Sequence, residues 1–305
     1  MPTPGTFLAA LPPFLPACMA ALVVAAVAAA GAVLARGSTA VPAALWASAA
    51  GLCLAVEMGC RAAGWCVDPG VAAAVRLGTV AVAACPTMSL LGAKRPQYGV
   101  WQFIVASLGA VLALPALSAA LVRPGTPPDV HMLERCFMLV LALIGWMNFA
   151  GTRRAVAAAF ATVGLVVLMR DLLPVTWPVS AAVGERLDTA AALLLTAGAV
   201  VALIQSIRGR RGRDTSRAAP AVTARIERPF LALRETLGAA WTLRIIERFN
   251  TVATARGWPC RLSFNGLEAG GDPADTTWHR DALRAFRAIM GRFVTGDWLR
   301  RHGWE

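Results

Sequence analysis

Over roughly its first two hundred residues the chain alternates long apolar runs with short polar turns, and then it changes character. The pattern is plainest from Cys85 to Leu117, where two apolar runs meet at one compact basic turn, Lys94-Arg95-Pro96. A helical hairpin that crosses a bilayer twice has this form, with its positive charges gathered on one side. Applied along the chain, the same rule predicts seven spans, at about 17–35, 42–63, 71–91, 101–122, 136–150, 155–169 and 187–207. A stretch of about 20 residues, rising ~1.5 Å each, covers the ~30 Å hydrocarbon layer. The fifth and sixth runs fall short of that length and need their polar flanks to complete a crossing.

After Ile207 the pattern becomes that of a water-facing chain. Residues 208–228 read as a basic linker and residues 229–305 as a tail domain, while the uncharged, proline-rich residues 1–16 read as an irregular leader. In the tail, Phe230, Leu233, Leu237, Trp241, Ile245, Phe249 and Val252 recur at three- and four-residue steps. That spacing predicts one amphipathic helix from Pro229, stopped at Gly257-Trp258-Pro259. Arg261 to Phe264 alternates like a short strand and leads into an Asn265-Gly266 turn. Helices over about Asp275–Phe293 and Thr295–His302 complete the tail. The expected fold class is therefore an all-α membrane protein. It is a polytopic helical bundle of about seven transmembrane helices with a small, mostly helical C-terminal soluble domain.

Composition agrees with lipid as the main solvent. Hydrophobic residues make up 57% of the chain and charged residues only 15%, against about 25% charged in an ordinary soluble domain. The formal charge of +12 is concentrated in the tail. With seven crossings and the N-terminus outside, Arg36, Lys94, Arg95, Arg153, Arg154 and the tail arginines share one face. The positive-inside rule makes that face cytoplasmic, and the expected location is the inner, cell membrane. The bilayer and its anionic headgroups are then the natural counterpart of the tail. No nucleic-acid partner is expected, because the tail arginines alternate with acids, as in Arg225/Glu227, Arg234/Glu235 and Arg244/Glu247.

Two charges interrupt the second and third spans, Glu57 and Arg76. Each costs ~2.5–3.5 kcal/mol at mid-bilayer on insertion scales. They lie at similar distances on either side of the intervening turn, so they reach the same depth, and the spacing predicts an intramembrane ion pair. Pro86 and Pro115 predict helix kinks within the third and fourth spans. Cys60 and Cys66 flank the outer turn, either as two thiols or as a disulfide.

Catalytic signatures do not emerge. The chain has no GxxxxGK[ST], no GxGxxG with its following acid, and no HExxH. Its seven cysteines are scattered without a CxxC pair, and its three histidines, His131, His279 and His302, all fall outside the predicted spans. No catalytic residue, cofactor or metal site is assigned. Three classes of function remain in order of support. The first is a membrane-anchored interaction or regulatory module whose tail meets a protein partner. The second is a small-solute or lipid transporter using Glu57, Arg76, Gln102, Ser107 and Asn148. The third is a membrane-embedded enzyme.

Overall fold

The computed structural model describes residues 14–66, 68–92, 94, 97–173, 179–214, 222–270 and 277–304. Among these, eleven α-helices and one β-hairpin follow in order. The first seven helices are α1 (Leu15–Leu34), α2 (Val41–Ala62), α3 (Pro69–Leu91), α4 (Tyr98–Leu121), α5 (Met132–Met147), α6 (Ala155–Leu168) and α7 (Ala181–Asp214), with a 3₁₀ turn, Arg170–Leu172, after α6. Then come α8 (Val222–Leu237), α9 (Ala239–Arg256), strands β1 (Cys260–Ser263) and β2 (Gly266–Ala269), α10 (His279–Met290) and α11 (Gly296–Arg301). The protein is mostly helical and belongs in a membrane: α1, α2, α3, α4 and α7 are long and apolar enough to cross one. Their surfaces fit that medium, for α4 leaves Phe103, Val111, Leu114 and Leu121 exposed. The shorter α5 and α6 have 16 and 14 residues, or ~24 and ~21 Å of helix.

Apolar side chains gain nothing by leaving lipid for one another, so the helices associate through small residues that permit close backbone approach. A methyl group added at Gly51 of α2 would fall 2.7 Å from the Ala25 nitrogen of α1. One added at Gly198 of α7 would fall 2.8 Å from the Ala157 carbonyl of α6. Short hydroxyls tie the same seams: Ser48 donates to the Ala25 carbonyl at 2.9 Å and Thr196 to the Ala20 carbonyl at 2.9 Å.

Several elements depart from the pattern-based expectation. Helix α7 begins at Ala181 rather than near Leu187 and runs on to Asp214, into the stretch read as a linker. The linker's remaining residues 215–221 lie outside the described residues, as do most of the leader, residues 1–13. Tail helix α8 starts at Val222 and passes through Pro229 instead of starting there. The single long tail helix is in fact two, because Gly238 adopts φ +80°, a left-handed value that ends α8 and re-aims the chain into α9. The Arg261–Phe264 segment is one arm of an antiparallel hairpin whose second arm, β2, pairs Cys260 with Ala269 through Ser263 with Gly266. Pro86 and Pro115, by contrast, lie inside α3 and α4 where the pattern put them, and each helix continues past its proline. All seven cysteines are free thiols.

The C-terminal elements bury a core of their own. Phe230, Phe249, Leu262, Phe286, Met290 and Trp298 belong to one apolar cluster, separate from the two clusters inside the bundle. Ala40, from the turn between α1 and α2, is part of that tail cluster, and Ala35 and Leu90 pack against it. The tail is therefore seated on one end of the bundle.

Candidate functional site

Two polar assemblies stand out, one towards each end of the bundle. The first is a buried charge network. Helix α2 supplies Glu57 and Arg61 one turn apart, α3 supplies Arg76, the 3₁₀ turn supplies Arg170, and α7 supplies Asp188. Arg76 Nε donates to Glu57 Oε1 at 2.5 Å, and its Nη1 donates to Asp188 Oδ1 at 3.0 Å and to the Leu168 carbonyl at 3.1 Å. Arg61 reaches Glu57 Oε1 at 3.2 Å and Asp188 Oδ2 at 3.4 Å, and Arg170 meets Asp188 Oδ1 at 2.5 Å. Relative exposure is 0% for Glu57, 1% for Asp188 and 2% for Arg76.

Spacing along the chain brings Glu57 and Arg76 to one depth, and the structure sets them in direct contact. Asp188, Arg61 and Arg170 are the members that the sequence reading missed. Asp188 lies seven residues inside α7, ~10 Å from its start, so it is part of the helix rather than the end of a loop. Charges removed from water at this depth are tolerable only when paired and hydrogen-bonded. Each carboxylate here faces at least two guanidinium groups. Three cations against two buried anions leave one positive charge in excess in the buried core, and the exposed Asp171, 3.6 Å from Arg170, meets it at the rim. Glu57 Oε2 is buried without a hydrogen-bond partner among the described residues.

The second assembly is the seat of the tail. Three turns that carry the basic residues of the bundle end against the C-terminal elements. At the α1–α2 turn, Thr39 N donates to the Phe293 carbonyl at 2.9 Å and Thr295 N to the Gly37 carbonyl at 2.7 Å. At the end of α3, Trp241 Nε1 donates to the Leu90 carbonyl at 2.7 Å and Trp101 Nε1 to the Met88 carbonyl at 3.0 Å. Two indoles thus engage carbonyls in the last turn of α3, where a helix end leaves acceptors without intrahelical partners. Trp101 packs inwards and lies over Gly92.

At the α5–α6 turn, Asn148 brackets the α8–α9 joint. Its Nδ2 donates to the Leu237 carbonyl at 2.9 Å, its Oδ1 accepts from Ala240 N at 3.0 Å, and its own carbonyl accepts from Ala239 N at 2.7 Å. Arg153 N donates to Glu235 Oε2 at 2.9 Å, and Arg154 Nη2 donates to Ser206 Oγ at 2.8 Å. Lys94 lies 5.3 Å from the Trp241 ring centroid; Arg95, the other basic residue of its turn, falls outside the described residues.

The remaining polar candidates have local occupations. Gln102 accepts from Trp46 Nε1 at 3.0 Å and pairs with Ser89, and Ser107 is exposed on α4. His131 caps α5 in a reciprocal box with Glu134, and His302 stacks on Trp298 with ring centroids 3.7 Å apart. Among the described residues no group of three or more His, Cys, Asp or Glu side chains is arranged to hold a metal ion.

An open groove of about 640 Å³ lies on the tail beside Arg244, Glu247, Arg248 and Ile289. It adjoins a narrow cleft that reaches Lys94, Trp241 and Arg292. Burial pushes the Cys260 thiol, on β1, up to about 11. No family model matches this chain, and no curated protein or solved structure matches it.

Proposed function

We propose that this is a multi-pass protein of the inner, cell membrane that crosses the bilayer seven times, N-terminus outside. Its cytoplasmic tail domain, residues 229–305, then acts as a membrane-anchored interaction or regulatory module. The observation that carries the reading is the seat of the tail. Turns ending α1, α3 and α5 all meet the C-terminal elements, which supports successive helices alternating in direction and all the basic turns lying on one side. Lys94, Arg153 and Arg154 on those turns supply the positive bias of a cytoplasmic face. The amphipathic groove on the tail is the surface at which a partner would be met.

Transport of a small solute or lipid is the second reading, and one observation favours it: Glu57 keeps a buried, unpartnered carboxylate oxygen inside a charged cluster. Single-cysteine labelling, combined with a photocrosslinking residue at Arg244 or Arg284, tests the first reading. Cysteines replacing Lys94 and Arg154 are expected to label from the same side, opposite Cys66 and a cysteine at His131. A crosslinked partner is expected from Arg244 and not from Arg284. Labelling of Lys94 and Arg154 from opposite sides overturns the topology. Solute flux through proteoliposomes of the purified chain, with no crosslinked partner, overturns the module in favour of transport.

A further inference from the structure

We infer that the groove between the tail and the α3–α4 turn is a binding site for the phosphate-bearing headgroup of an anionic phospholipid. The inference rests on the membrane-seated tail described above and names what the groove takes from the bilayer. Arg244 and Arg248 lie one turn apart on the exposed face of α9, as i and i+4 neighbours whose like charges repel without an anion between them. Arg292 joins them from the end of α10, and Lys94 from the turn after α3. Lys94 and Arg244 both lie against the Trp241 ring, at 5.3 and 5.1 Å from its centroid.

Among the described residues none of these four cations stands within 4.0 Å of a carboxylate, although Arg61, Arg76, Arg170, Arg234 and Arg300 all do. One acid, Glu247, lines the groove, and it leaves a surplus of three positive charges. The wall beneath is apolar, formed by Trp241, Ile245, Ile289 and Phe293. A site for an amphiphile needs this combination of cationic rim and greasy floor.

Position selects the lipid over a soluble phosphate. Lys94 stands three residues beyond Leu91, the last residue of α3, and the floor indole is hydrogen-bonded to the Leu90 carbonyl. The groove therefore opens at the level where an apolar spanning helix ends, and headgroups lie at that level. The open part of the site beside Arg244 and Arg248, about 640 Å³, is within the usual range for a small-molecule site, ~300–1,000 Å³, and the cleft that continues it to Lys94, Trp241 and Arg292 adds about 20 Å³. Polybasic surfaces next to a membrane gain affinity with each cation they contribute.

The test is native mass spectrometry of the purified full-length chain in detergent, with dioleoylphosphatidylglycerol, dioleoylphosphatidylcholine or inorganic phosphate added. The wild-type chain is expected to retain phosphatidylglycerol over phosphatidylcholine. Arg244→Gln/Arg248→Gln is expected to weaken that retention about thirty-fold. Arg284→Gln/Arg287→Gln, which removes the same charge from α10 outside the groove, is expected to keep it. Arg244→Lys/Arg248→Lys is expected to recover most of it, which separates lost binding from lost folding.

Equal loss in the two glutamine pairs overturns the site in favour of diffuse electrostatics. Unchanged retention in Arg244→Gln/Arg248→Gln overturns it outright. Competition by millimolar inorganic phosphate as effective as that by the lipid overturns the lipid as occupant. Lipid retention is read on the purified chain whatever its sidedness. Failure of the topology, seen at Lys94 and Arg154, is thus distinct from failure of the site.

Discussion

Neutralising Asp188 should be the most damaging single change in the bundle. Its carboxylate meets Arg61, Arg76 and Arg170, whereas Glu57 meets only Arg61 and Arg76. Asp188→Asn leaves three guanidinium groups around one buried carboxylate and raises the excess charge of the cluster from one to two. Removing one partner of a buried pair costs about 3–5 kcal/mol, and that is the loss expected here. Glu57→Gln raises the charge equally but strands fewer cations, so it should cost less. Arg170→Gln brings the buried core to neutrality, leaves Asp188 with Arg61 and Arg76 and releases only the exposed Asp171, so its cost should be near ~1 kcal/mol.

The double variant Glu57→Gln/Arg76→Gln restores the native excess charge of one, and its loss should fall below the sum of the two singles by about 1–3 kcal/mol. Reversible unfolding in bicelles, followed by steric trapping or by titration with denaturing detergent, measures all five variants on one scale. The reasoning is refuted if the Glu57 and Arg76 losses add within about 0.5 kcal/mol. It is equally refuted if Asp188→Asn costs no more than Arg170→Gln.

Two further predictions concern the tail. Asn148→Ala removes both side-chain hydrogen bonds to the α8–α9 joint and should weaken the seat by about 1–3 kcal/mol. Gly238→Ala should do more, because its methyl group would fall 2.3 Å from Asn148 Nδ2 at φ +80°. Hydrogen exchange of the Leu237–Ala240 amides should rise in that order, and an unchanged rate in Gly238→Ala would show that the joint does not depend on this contact. Cys260 should resist alkylation in the folded chain. With its thiol raised from 9.0 to about 11, only ~0.1% is thiolate at pH 8, and the thiolate is the nucleophile. Iodoacetamide should therefore modify it at least tenfold more slowly than in the denatured chain, with the rate climbing towards pH 11. Equal native and denatured rates at pH 8 would contradict the raised, half-buried thiol.

What could be read beforehand, and what could not, follows from the range of the forces involved. The apolar runs declare themselves because a surface facing lipid must be predominantly apolar, and α1 to α4 accordingly begin and end within about three residues of the pattern, whereas α7 overruns it at both ends. Glu57 and Arg76 are readable as partners because adjacent antiparallel helices convert equal distance from a turn into equal depth. Asp188 escaped because its helix was taken to begin at about Leu187, which placed its charge in water. The signal was nonetheless present: Ala191, Ala192 and Leu195 form a stripe turned into the bundle, and three- and four-residue steps backwards lead to Asp188. The break at Gly238 left no such trace. Leu237, Trp241 and Ile245 keep helical spacing straight across it, because α8 and α9 both turn those residues towards one core. Only the distant Asn148 side chain reveals that the backbone must open there.

The shortness of α5 and α6 and the seat of the tail have one physical explanation. At ~24 and ~21 Å these two helices fall short of the ~30 Å apolar layer that their neighbours match, and the Asn148–Arg154 turn joins them at the tail end. Lipid could not satisfy the polar groups of such a turn. The tail does so: Leu237, Ala239 and Ala240 complete Asn148, and Glu235 accepts from Arg153 N. Gly151, whose added methyl would lie 3.3 Å from Phe264, lets the hairpin turn close over the same spot. A tail held only by a flexible tether would leave Asn148, at 9% exposure, without these partners, and the Leu90 carbonyl without the Trp241 indole. The bundle and the C-terminal elements therefore complete each other's hydrogen bonding, and a change at the groove on α9 is one joint away from the turn that closes α5 on α6.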